Sequence, residues 1–224
     1  DCTEKCTVDR LMEGDLAVAV LTDPPYGQNQ KGITNDSPEI SDTLLRGSIQ
    51  ALPVEDACII AFQSPRTFPI WLDAARESGH VFQRMLWLYK AAQNAYPWRG
   101  WLLTSEAILI TAIGTPSWQD VHPYTHDCYY KSEVSGEIPS DIGWHGSIKP
   151  LDVVIDLMNR TSPIGALVYD PFLGSGTTLI AAERTNRICY GLEIEPRYAD
   201  VILRRWEAER GQKAALLDRI KADG

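Results

Sequence analysis

Ala166-Leu167-Val168-Tyr169-Asp170 reads as a buried strand, and Pro171-Phe172-Leu173-Gly174-Ser175-Gly176-Thr177-Thr178 follows it directly. The helix Leu179-Ile180-Ala181-Ala182-Glu183 comes next. Strand, glycine turn and helix in this order suit a nucleotide-type cofactor. The glycines let the backbone approach a ligand, and the helix N-terminus offers it unpaired N–H groups. A further strand, Ile188-Cys189-Tyr190-Gly191-Leu192, ends at Glu193. An acid there, about 20 residues beyond the glycines, suits ribose hydroxyls. No Lys follows Gly176, so the turn is not a P-loop, and Leu179 stands where the dinucleotide fingerprint has its third Gly.

Far upstream, the apolar run Leu16-Ala17-Val18-Ala19-Val20-Leu21 has the length of a buried parallel strand. Thr22-Asp23-Pro24-Pro25-Tyr26-Gly27 ends it. Pro24 and Pro25 fix two successive φ angles and remove two backbone donors, and Pro24 pushes Asp23 out of the α region. The product is a stiff, extended corner at the carboxyl end of a strand, where open α/β sheets bind ligands. It offers a carboxylate, a proline carbonyl and an aromatic ring. A planar ring bearing an exocyclic amine fits that set: Asp23 and the Pro24 carbonyl accept from the amine, and Tyr26 stacks on the ring. Taken alone, the corner is equally a proline-stiffened turn with a capping Asp.

Together the two stretches resemble DNA amino-methyltransferases. Asp23-Pro24-Pro25-Tyr26 is similar to their catalytic motif, and Asp170 to Thr178 to their S-adenosylmethionine motif. Catalytic before cofactor motif is the order of the family's beta class. The resemblance implies a Rossmann-like α/β methyltransferase sheet with helices on both faces, circularly permuted, with an irregular target-recognition insertion. It implies methyl transfer from S-adenosylmethionine to adenine N6 in DNA, by a cytoplasmic protein that is bacterial or phage-encoded. The catalytic residues it implies are Asp23, Pro24, Pro25 and Tyr26. The cofactor set it implies is Asp1, Asp23, Lys149, Asp170, Pro171, Phe172, Gly174, Ser175, Gly176, Thr177, Thr178 and Glu193. Asp1-Cys2-Thr3 resembles the end of a Gly-Asp segment whose acid lies near the adenine, so the chain is expected to continue upstream of Asp1. Lys149, in His145-Gly146-Ser147-Ile148-Lys149-Pro150, is a partner for the cofactor carboxylate or an ordinary Lys before a helix. Gly-Ser replaces the family's usual Pro-Thr there. Cytosine N4 fits the same corner, although the family tends to have Ser in place of Asp23 for cytosine. RNA, or a catalytically silent nucleic-acid-binding module, are the other readings.

The 224 residues suffice for one domain: a catalytic half at about 1–113, a recognition insertion at about 94–148 and a cofactor half at about 149–210. No apolar run reaches the length of a membrane span, and five scattered cysteines without CxxC spacing read as reduced thiols. His122, His126 and Cys128 lack a fourth partner, so no metal is expected. The net charge of −9 excludes a generic nucleic-acid binder. DNA contact would need a local basic face, drawn from Arg66, Arg76, Arg84, Lys90 and Arg99, with aromatics of the insertion such as Trp118, Tyr124, Tyr129, Tyr130 and Trp144 stacking on bases. So small a face implies further contacts from a second subunit, as in a homodimer, or from a missing terminal segment.

Between the motifs, the pattern predicts helices at Val8–Met12, from a Ser41 or Asp42 cap to Leu52, and at Phe68–Ser78. It predicts strands at Ala57–Phe62, Arg84–Lys90 and Glu106–Ile113, the last two as an antiparallel hairpin. A polar loop, Gln28 to Pro38, has the length of a lid, and Thr115 to Ser147 has no clear period. Helices are expected at Leu151–Asn159 and from Pro196, the latter with Arg204 and Arg205 on its outer face.

Overall fold

The structure, a computed structural model, describes residues 1–28, 34, 36–90, 104–130 and 148–217. Apolar side chains alternate between two cores along each central strand, which is why these strands read as continuous hydrophobic runs. In β1 (Ala19–Thr22), Ala19 and Leu21 face one core and Val20 the other. In β2 (Ala57–Gln63), Cys58, Ile60 and Phe62 alternate with Ala57, Ile59 and Ala61 in the same way. One face is covered by α1 (Lys5–Met12), α2 (Pro38–Gln50) and α3 (Phe68–Glu77), through residues such as Val8, Leu45 and the fully buried Trp71. The other is covered by α4 (Leu151–Thr161) and α5 (Thr177–Arg184), with Trp206 of α6 (Pro196–Arg210) packed against the same core.

Adding β3 (Val81–Tyr89), β4 (Ser105–Ile113), β5 (Cys128–Tyr130), β6 (Leu167–Asp170) and β7 (Ile188–Gly191) gives a seven-stranded sheet of order β5-β3-β4-β2-β1-β6-β7. Only β4 runs against the others among the described strands. From β1 the chain moves outward to β2, and from β6 it moves outward the opposite way to β7. The switch point therefore lies between β1 and β6, which pair in parallel through Ala19↔Val168 and Val20↔Tyr169. Their carboxyl ends, Thr22 and Asp170, sit side by side, and this is where an open α/β sheet opens a crevice.

Several expectations need correction. Leu16 is exposed, Ala17 bonds to Pro53 outside the ladder, and β1 starts at Ala19. α2 begins earlier than a Ser41 or Asp42 cap allows: Ser37 is its N-cap and Pro38 opens it, while Ser41 lies inside and returns its hydroxyl to the Ser37 carbonyl. β5, within the stretch read as aperiodic, is a strand parallel to β3. Arg205 is buried, not on the outer face of α6. The hairpin β3–β4 stands as expected, all five cysteines are free, and among the described residues no helix is long and apolar enough to cross a membrane.

Candidate active site

The corner after β1 is held from several sides. Tyr26 donates its hydroxyl to Asp23 Oδ1 at 2.8 Å, and Lys149 Nζ donates to Asp23 Oδ2 at 2.5 Å. Gly27 (φ 66°) gives its N–H to the buried Asp36 carboxylate at 2.6 Å and receives Arg66 Nη1 on its carbonyl at 2.8 Å. Both polar groups of the turn's last residue are thus fixed by side chains from elsewhere in the sheet layer. Behind Lys149 stands Glu106 on β4, 3.5 Å away, and Glu106 itself pairs with Lys90.

The glycine turn is built from the opposite side of the switch point. Asp170 accepts from Thr22 Oγ1 (2.9 Å), Phe172 N–H (3.0 Å) and Thr178 Oγ1 (2.7 Å), tying the turn both to β1 and to α5. Gly174 (φ 54°) gives its N–H to Glu193 Oε2 at 2.7 Å, and Glu195 N–H bonds Glu193 Oε1 at 2.8 Å. The Glu193 carboxylate, which Ile194 N–H also approaches, keeps lone-pair capacity for a further donor. Gly176 (φ 83°) caps α5, and a Cβ there would lie 3.1 Å from Ile202 of α6. Arg205 reaches from α6 to the Ser175 carbonyl at 2.5 Å.

Between the two turns lies a cavity whose wall includes Asp1, Asp23, Pro24, Pro25, Tyr26, Lys149, Asp170, Pro171, Phe172, Gly174, Ser175, Thr177, Thr178 and Glu193. Of the residues expected from sequence, only Gly176 is absent from that wall; its glycine requirement comes from φ and from Ile202. Lys149 lines the cavity, but its ammonium is engaged by Asp23 and Glu106. Sequence reasoning missed Asp36, Glu106 and Arg205, whose hydrogen-bond partners Gly27, Lys90 and Ser175 lie 9, 16 and 30 positions away and leave no local pattern.

The wall is acidic. Asp1, Asp23, Asp36, Asp170, Glu193 and Glu195 face the one described lining cation, Lys149. Burial pushes Asp170 up to about 6 against its three hydrogen bonds, and burial also raises Asp23 and Glu193. Burial alone would lower Lys149, but Asp23 and Glu106 outweigh it and leave it raised. Burial works against the Glu106 charge too; Lys149 and Lys90 overcome it and hold the carboxyl below its ordinary range. Such a site favours a ligand carrying positive charge.

The surface around the corner is mixed. Arg66 touches it through Gly27, while Arg76 pairs with Asp73 on α3 and Arg84 is exposed on β3. Trp118, Tyr124 and Tyr130 are exposed; Tyr129 instead bonds Asp156 at 2.6 Å and packs on the core. Arg99, Trp144 and the segments 94–101 and 131–147 lie outside the described residues. His122, His126 and Cys128 form no metal-holding group among the described residues.

A family model described as DNA methylase matches residues 18–204, from the start of β1 into α6. The chain belongs to the DNA methylase family. This methylase chain is similar to Type II methyltransferase M.ScaI of Streptomyces caespitosus, 38% identical over 65 residues, 29% of this chain and 21% of that protein. The chain thus spans about a fifth of that relative's length. Among solved structures it is similar to the M1.HpyAVI–SAM complex, with a TM-score of 0.68 and 23% identity over 89% of this chain and 93% of that one. It is similar also to the PvuII DNA methyltransferase (cytosine-N4-specific), with a TM-score of 0.71 and 16% identity over 89% and 83%. At these identities the structural likenesses establish the fold.

Proposed function

We propose that the chain transfers a methyl group from S-adenosylmethionine to the exocyclic N6 of adenine in DNA. The observation that carries this reading is the placement of the Asp23 corner and the glycine turn on one cavity, across the β1–β6 switch point. The cavity fits the cofactor. Six carboxyl groups suit its sulfonium and ammonium charges, Glu193 keeps acceptors for ribose hydroxyls, and Gly174 brings the backbone close. Asp1 lies on the same wall and suits the adenine end.

Bound there, S-adenosylmethionine supplies an electrophilic methyl carbon on sulfur. An aromatic amine is a poor nucleophile because its lone pair is delocalised into the ring. Asp23 and the Pro24 carbonyl accept its two hydrogens and localise that pair on nitrogen, in line with the methyl group. The N–C bond forms as the C–S bond breaks, sulfur keeps the electron pair as a thioether, and the nitrogen sheds one proton. Asp23, whose carboxyl burial makes a better base, is suited to take it. The target base must leave the duplex to reach the corner, and Tyr26 offers a face to receive it. Arg66 supplies positive charge beside the corner, and a second subunit would extend that small face. Asp rather than Ser at position 23 favours adenine by family resemblance.

The test is a methyl-transfer assay on duplex DNA with labelled cofactor, followed by nucleoside mass analysis. N6-methyladenine is expected. N4-methylcytosine would move the target to cytosine, label on RNA alone would change the substrate, and cofactor binding without transfer to any nucleic acid would leave a silent module.

A further inference from the structure

Four charged side chains run in a line away from the proposed reaction centre: Asp23, Lys149, Glu106 and Lys90. The distances along it are uneven. Lys149 Nζ lies 2.5 Å from Asp23 Oδ2 but 3.5 Å from Glu106 Oε2. Glu106 Oε1 is held by Lys90, whereas its buried Oε2 makes no hydrogen bond among the described residues. Lys90 N–H bonds the Thr104 carbonyl at 2.7 Å, and Glu106 stands opposite Leu88 in the β3–β4 ladder, so that end of the line is fixed by backbone. The ammonium itself sits between two ring faces, 5.4 Å from Tyr26 and 5.2 Å from Phe62, which tolerate a cation anywhere along the path. A displacement of less than about 1 Å would complete a normal hydrogen bond to Glu106 and lengthen the one to Asp23.

We propose that Glu106 is a second seat for the Lys149 ammonium, occupied when the target amine binds Asp23, with Lys90 holding that seat in place. The inference rests on the reading that Asp23 meets the target amine. With Lys149 on Oδ2, the negative charge that should draw the amine hydrogens is compensated. Moving the cation to Glu106 restores Asp23 as a full anionic acceptor without changing the charge of the group, which has two carboxylates and two ammoniums. Glu106 and Lys90 are positioning residues; neither touches the amine.

The test compares Glu106→Gln and Lys90→Gln in single-turnover methyl transfer to duplex DNA across pH, with cofactor affinity measured by calorimetry. The groups facing Asp23 are Tyr26 on its own turn, Lys149 ahead of α4, Glu106 on β4, Lys90 after β3 and Asp170 at the end of β6; Asp36 faces Tyr26. Glu106→Gln removes the second seat. The plateau rate should fall about tenfold or more with cofactor affinity within about threefold, and the acid limb should move to lower pH. Lys90→Gln loosens the seat but leaves its charge, so the plateau should fall by less than in Glu106→Gln, and the limb should move to higher pH. Glu106→Asp should restore part of the plateau. A readout independent of turnover is a structure of the wild-type chain with duplex DNA and the demethylated cofactor, where Nζ should lie within about 3 Å of Glu106. A Glu106→Gln plateau within twofold of wild type, equal losses in both variants, or Nζ still on Asp23 beside a bound amine would overturn the proposal. Wild-type chain that transfers no methyl group to DNA would instead overturn the functional reading on which it rests.

Discussion

Thr22 Oγ1 donates to Asp170 Oδ1 across 2.9 Å although 148 positions separate the two residues. The bond crosses the switch point and joins the last residue of β1 to the last residue of β6. It fixes the two turns relative to each other, and with them, on the proposed function, the separation at which cofactor and target would meet.

Asp170 makes this junction sensitive to pH. Its carboxyl is raised from 3.8 to about 6, chiefly by burial. A carboxyl raised in the fold contributes most below its unfolded value, and that contribution is lost as pH rises through 6. Above pH 7 the buried charge costs at most about 3 kcal/mol. Asp170→Asn keeps an acceptor for Thr22 and Phe172 and can donate to Thr178. Relative to wild type, its urea midpoint should rise from pH 4 to pH 8, and an unchanged difference between the two proteins across that range would refute the assignment.

Asp23→Ala should reduce methyl transfer by about a thousandfold or more, because it removes the acceptor for the target amine. Cofactor affinity should stay within a few-fold, since Glu193 and the glycine turn remain. Titration calorimetry beside a labelled-methyl assay separates the two effects; full activity would remove Asp23 from the chemistry.

Glu193→Ala and Gly176→Val should behave differently, although both residues are in the proposed cofactor set. Glu193→Ala removes acceptors that face the cavity, and cofactor affinity should fall about tenfold or more. Gly176→Val meets Ile202 and a left-handed backbone instead, so it should cost about 2–4 kcal/mol of stability and lower affinity only through that loss. Thermal-shift titration distinguishes a lost contact from a lost fold.

Arg205→Met keeps the stem of a buried side chain and removes its bond to the Ser175 carbonyl. Stability should fall by about 1–3 kcal/mol in urea titration. The glycine turn should loosen with it, seen as faster amide exchange at Gly174 and Gly176.

Much of this was legible because it is local. The strand–glycine–helix order at β6 and α5, the proline corner and Glu193 all follow from short-range rules, and the cavity gathers them. What escaped is long-range or short-lived in the sequence. Nothing near Lys149 says that its partner is Asp23 rather than a ligand, since the pairing spans 126 positions. Arg205 looks like its exposed neighbour Arg204 until α6 packs on the glycine turn. Ser37 was overlooked because Ser41 also resembles a cap, although Pro38 marks the first helical residue. β5 is three residues long, too short for any period to register.

That brevity of β5 has a consequence for the protein in crowded solution. It covers only Trp87–Tyr89 of the nine-residue β3, and Val81 and Phe82 farther along are exposed. A straight apolar strand edge there would invite pairing with another copy. The ladder instead slips between Phe82 and Arg84, so Gln83 bulges and a charge follows it. Deleting Gln83 would straighten this edge and should make the protein self-associate more strongly as concentration rises.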